Sequence, residues 1–380
     1  MYVSFCFHGH FLNRTFSAVT DPIVHAGRHW GRTVNAVVSA RTIVTHGIRR
    51  AMKMQMEEIS LEDFPKNEQR EQQIFDALLE TIPGLLDRLI DASDEEQRHI
   101  SDMLQKGANN ARADDTKGLK TGIVDWIAPR GQALTPTLFR NNKSDRGFHH
   151  PRTGELLCPA AWDWSDEAVK RGLRSGERAI PGEQWPAFIY EANRYDPTNP
   201  WQGLFRGALL VTAYKFVFTS PSSADSEIKA CRSGNARIHG MTEITLPSLA
   251  YVATLVRFSL SSQTTFSRSN CVTESERFYN TIMDLLLDVR ELAEINALKA
   301  WWNAEVFPGA SSSQGSIAED SPLAVIRKRR DELERLAKLS ATTPTAESEE
   351  TDNSGRWGDA QSASTAGQAG ATGEGDSQSD

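Results

Sequence analysis

A chain of 380 residues in which 39% are hydrophobic, with nine Trp and sixteen Phe, has enough apolar surface to bury a sizeable core, which excludes wholesale disorder. The formal charge of −8 is lopsided: residues 341–380 carry eight acids against Arg356, leaving −1 for the rest, so the acidic balance argues neither for nor against an anionic partner of the folded part. Four cysteines without short pair spacing exclude a disulfide-stapled secreted domain and fit a reducing compartment, and no run of eighteen apolar residues is present to cross a membrane.

Residues 1–66 are expected to form a poorly ordered basic leader: up to position 56 they hold seven Lys/Arg and five His against Asp21. A mitochondrial transit peptide is the alternative reading of that bias. From Asn67, the recurrence of Ile74, Leu78, Ile82, Leu85, Leu86, Leu89 and Ile90 predicts a helix that Pro83-Gly84 splits. Ser93 and Glu96 form a capping box for the next, expected to end near Gly107, and a short third helix holds Ile123, Trp126 and Ile127. Between Pro129 and Trp162 the periodicity disappears into a long irregular loop rich in basic residues. Ser165 then caps a helix, another lies near Trp185, and Pro200 opens a buried one through Phe218. A small hairpin fits Ile238 to Leu246, with Gly240 at its turn. Helices follow over 247–262, after the Thr273/Glu276 capping box, and over 292–307. Residues 309–320 read as a linker, 321–340 as an amphipathic basic helix, and 341–380 as a disordered acidic tail. The fold class is therefore mostly α, with a single helical globular domain over 67–308.

No Walker loop, dinucleotide-binding glycine motif, HExxH, GxSxG or CxxC is present, which weighs against an enzyme. Small polar and basic groups are densest between Thr219 and Gly240. There Cys231 could act as a nucleophile with His239 as base and Asp225 orienting it, or Arg232 and Arg237 beside Gly234 and Asn235 could hold an anion. A structural turn explains the same residues. A metal held by Cys158, His149, His150, Cys231 and His239 is conceivable, but the separations match no finger or ribbon, and no cofactor is expected. In the irregular loop, Arg140, Lys143 and Arg146 interleave with Phe139 and Phe148, the combination a single-stranded nucleic acid groove uses; a solvated basic loop gives the same list. Arg327, Lys328, Arg329 and Arg330 resemble a nuclear import signal or nucleic-acid patch, or else one polar face of an exposed helix. The acidic tail could mask that cluster. The function expected is a non-enzymatic intracellular binding protein, nuclear or cytoplasmic, whose partner is nucleic acid or another protein and not a membrane. The alternative is an enzyme of unknown reaction using Cys231, His239 and Asp225 or a Cys/His-bound metal.

The phrases Asp145-Arg-Gly-Phe-His-His150, Gly154-Glu-Leu-Leu-Cys-Pro159, Gln184-Trp-Pro186, Phe218-Thr-Ser-Pro-Ser-Ser223, Arg232-Ser-Gly-Asn-Ala-Arg-Ile-His-Gly-Met241, Ala250-Tyr-Val-Ala253 and Glu276-Arg-Phe-Tyr279 resemble an uncharacterised domain family expanded in mushroom-forming fungi. The resemblance runs over about 125–308 and brings no activity, cofactor or catalytic residue with it. High copy number implies an association with mobile elements.

Overall fold

The computed structural model describes residues 21–129, 131–219, 234–263, 275–308 and 321–341. The Asp21 carboxylate accepts the Ile23 amide and Pro22 opens the first turn, so α1 (Pro22–Thr33) starts where its orphan donors are met. Ser39 does the same for α2 (Ala40–Glu57). Residues 22–57 are therefore no poorly ordered leader. Their basic side chains complement acids of later helices: Arg28 pairs with Asp114, Arg32 with Asp115, Arg41 with Asp102 and Arg50 with Glu71. Residues 1–20 lie outside the described residues.

Gly84, at φ +76°, divides α3 (Lys66–Thr81) from α4 (Leu85–Asp91), as Pro83-Gly84 predicts. Ser93 caps α5 (Asp94–Trp126), which runs through Gly107 instead of ending there and absorbs the expected third helix. The reason is packing. A Cβ on Gly107 would sit 2.2 Å from the Val24 carbonyl oxygen, and one on Gly27 would sit 2.4 Å from the Leu104 carbonyl oxygen, so these glycines let α1 and α5 touch backbone to backbone. At the same crossing the buried Arg32 guanidinium donates twice to Asp115, at 2.7 Å each, and Tyr251 donates to the same carboxylate at 2.7 Å.

Two apolar clusters form on the two ends of α5. Trp30, Ile43, Phe75, Leu78, Leu89 and Leu104 make the first. The second gathers Leu119 and Ile123 with Phe188, Phe205, Tyr214, Phe218, Phe278 and Trp302. Between α5 and the later helices the chain is mostly irregular, with short α6 (Pro151–Leu157) and α7 (Glu167–Ser175). Asp166, not Ser165, caps α7, and the helix expected near Trp185 is two three-ten turns, Ala187–Ile189 and Glu191–Asn193. Left-handed φ at Gly203 and Phe205 keeps 200–207 from joining α8 (Ala208–Phe218). The expected hairpin is absent: α9 (Asn235–Ile238) is a single turn, after which the Met241 amide donates back to the Ala236 carbonyl. α10 (Leu246–Leu260) is buried on every side, as its even apolar content requires; α11 (Ser275–Leu286) packs beside it, and α12 (Leu292–Val306) meets α8 through Trp302 on Tyr214 and Glu305 on Lys215. Among the described residues there is no strand. A second compact unit begins at Ser316, and its described part is α13 (Pro322–Ala341), with Arg327 to Arg330 all exposed. No helix of the described residues is long and apolar enough to cross a membrane. The acidic tail past Ala341 lies outside the described residues.

Candidate functional site

An irregular backbone of twenty residues carries many carbonyls that no helix ladder satisfies, and each needs a donor if it is buried. Arg146 serves two of them, those of Phe139 and Arg140. It is fully buried, with one guanidinium nitrogen donating to the Ser259 carbonyl at 2.8 Å and another to the carbonyls of Lys120, Phe139 and Arg140 at 2.9, 3.1 and 3.3 Å. Lys143, 4% exposed, donates to the Phe258 carbonyl at 2.6 Å with its ammonium 3.4 Å from the centre of the Phe258 ring. Burial, then Arg146 and Lys120, pushes its pKa down to about 7. Of the three cations assigned to nucleic acid, only Arg140 is exposed, and it pairs with Asp125 at 2.8 Å. Arg146 and Lys143 thus act as an internal clamp on the loop.

The metal reading loses its members individually. The His150 Nδ1 accepts the Arg152 amide, so its Nε2 carries the proton that it donates to the Pro136 carbonyl; both ring nitrogens serve to cap α6 and hold the loop. Burial, and then Asp163, pushes the Cys158 thiol up to about 11, the behaviour of an inert core cysteine, while His149 stands apart on the surface. Among the described residues no group of three His, Cys, Asp or Glu could hold a metal ion. Asp225, Cys231 and Arg232 lie outside the described residues, and Arg237 is exposed.

His239 is brought against α1, its ring centre 4.4 Å from that of His25 and 4.3 Å from that of His29, the latter pair nearly parallel at 15°. Burial, followed by His29, His25, Arg32 and Arg28, pushes the His239 pKa down to about 3, and burial with Arg32 and His25 takes His29 to about 4. An imidazole this weakly basic is a poor general base near neutrality.

His29 and His239 line a cleft of about 580 Å³. Its walls are helical. α3 turns Phe75 and Leu78 into the first apolar cluster, which leaves Arg70, Ile74, Ala77 and Thr81, at steps of three and four, lining the cleft along about 16 Å. Tyr279, Met283 and Leu287 form the opposite wall along α11 and just past it. Val37, Val38 and Met241 contribute the floor, and Glu80, Glu243 and Asn280 add polar groups. One ion pair spans the walls, from Arg70 to Asp284 at 2.8 Å. Sequence reasoning missed this site. The available signal was α3 itself, whose Ile74 and Ala77 form a second apolar side beside the one that enters the core.

Residues 106–307 match the model of a family of unknown function (DUF6698), more than half of the chain. No curated protein and no solved structure matches it.

Proposed function

The chain belongs to DUF6698, a family of unknown function, and we propose that it is a non-enzymatic intracellular binding protein that seats an amphipathic helix of a protein partner in the cleft between α3 and α11. One observation carries this: two helices line the same cleft, α3 over three turns and α11 over two, with Val37, Val38 and Met241 adding apolar surface and Arg70, Glu80 and Glu243 adding charge. A third helix bearing apolar residues at i, i+3/i+4 and i+7 complements such a gap. Met241 and Met283 suit it, because unbranched thioethers repack around varied side chains. A displayed library of amphipathic helical peptides, selected on the full chain, tests this. Enriched peptides are expected to carry that spacing and to lose at least tenfold in affinity on Ala77→Arg, which fills and charges the groove. Enrichment of none, or of peptides indifferent to Ala77→Arg, contradicts it.

A second reading, nuclear residence with nucleic-acid association, is supported by the exposure of Arg327, Lys328, Arg329 and Arg330 on α13. Changing all four to Gln is expected to abolish nuclear accumulation of a tagged chain and any salt-sensitive binding to DNA or RNA. Unchanged localisation and binding would remove that reading.

A further inference from the structure

On the far side of α11 from the cleft lies a smaller hollow of about 300 Å³. Tyr279 and Met283 face the cleft, whereas Leu285 lines the hollow and Thr281 supports it. Four aromatic residues of the irregular segment after α7 line it, Trp185, Tyr190, Tyr195 and Trp201, with Ala160 and Ala161 from before α7. Tyr190 and Tyr195 meet edge to face at 5.3 Å.

Both indole N–H groups are consumed internally. Trp185 donates to the Thr281 hydroxyl at 3.2 Å and Trp201 to the Glu291 carboxylate at 2.7 Å. The two indole N–H groups are therefore not available to a ligand as donors. The Trp201–Glu291 bond also places a carboxylate in the plane of the indole, which enriches the ring in electron density. Among the described residues the charged side chain lining the hollow is Glu183, whose carboxylate is paired with Arg277 at 3.1 Å. Aromatic rings, one of them bonded to the Glu291 carboxylate, are complementary to a cation whose charge is spread over methyl groups and needs no hydrogen-bond acceptor. Next to the hollow, and sharing Tyr195 with it, is a polar depression lined by Glu191, Arg194, Asp196 and Gln202. Such a continuation suits the peptide backbone on either side of a side chain, with its own donors and acceptors to satisfy.

We propose that this aromatic hollow binds the methylated ammonium head of a lysine side chain carried on a peptide. The site is independent of the cleft and stands or falls separately from it. Short peptides bearing one trimethyllysine, one unmodified lysine, or the uncharged carbon isostere of trimethyllysine are titrated into the full chain while the indole N–H resonances of Trp185 and Trp201 are followed by NMR. The trimethyllysine peptide is expected to shift both resonances and to bind about tenfold more tightly than its neutral isostere, the size a partly desolvated cation–π contact supports. Tyr195→Ala should abolish that difference and Tyr195→Phe should keep it, so that loss of the ring is separated from loss of the fold. Equal affinity for the neutral isostere would make the hollow a merely apolar site and overturn the proposal. So would the absence of any shift, or shifts induced by phosphocholine vesicles and not by the peptide.

Discussion

Arg146 and Lys143 carry the same charge as a nucleic-acid ligand would need, yet each spends it on backbone carbonyls. Arg146→Ala leaves the Ser259, Phe139 and Arg140 carbonyls without their buried donor, each a loss of about 1–3 kcal/mol when unmatched. A destabilisation of at least about 3 kcal/mol in urea denaturation is expected. Arg146→Lys should recover only part of it, since one ammonium cannot replace a planar fork. A surface-like change below about 0.5 kcal/mol would contradict the clamp. Lys143 makes a pH prediction. Its folded pKa, about 7, lies below the ordinary lysine value of 10.5, so between those limits the unfolded chain holds a proton that the folded chain has released. Stability therefore rises with pH across that window, and the contribution is absent below pH 7. Arg146 and Lys120 repel its charge while the Phe258 carbonyl and ring attract it. Lys143→Met is expected to reduce the rise measured between pH 7 and 10. An identical pH profile in the variant would exclude the burial described.

The crossing of α1 and α5 gives a prediction whose sign is not obvious. Gly107→Ala gains up to about 1 kcal/mol of helix propensity, but its methyl would meet the Val24 carbonyl at 2.2 Å, and backbone overpacking costs about 1–3 kcal/mol. Net destabilisation is expected by thermal melting; a stabilised variant would mean the helices stand further apart. The same glycine explains one limit of sequence reading. Apolar periodicity identifies α3, α10, α11 and α12, because that spacing acts locally. Gly107 reads locally as a helix end, and only α1, some eighty residues earlier, makes it a contact. Residues 22–57 read as a leader for a related reason: their arginines find acids on α3 and α5, which a local window does not contain. Candidate sites were legible only as residue types. Lys143, Arg146 and His150 are buried, and whether a cation faces solvent or a carbonyl depends on long-range packing.

For the unit that ends at Gly315, the two apolar clusters at the ends of α5 make a helical body with a cleft along α3 and an aromatic hollow across α11. The hollow lies wholly within residues 106–307, whereas one wall of the cleft, α3, precedes that family region. Helix binding in the cleft is the central claim, and amide hydrogen exchange on the full chain with and without the tightest selected helical peptide tests it most directly. Protection is expected on both walls, at 70–81 and 279–287, together with 239–243, and it should vanish in Ala77→Arg. Protection confined to α13 or to the aromatic hollow, with the two walls unchanged, would contradict it.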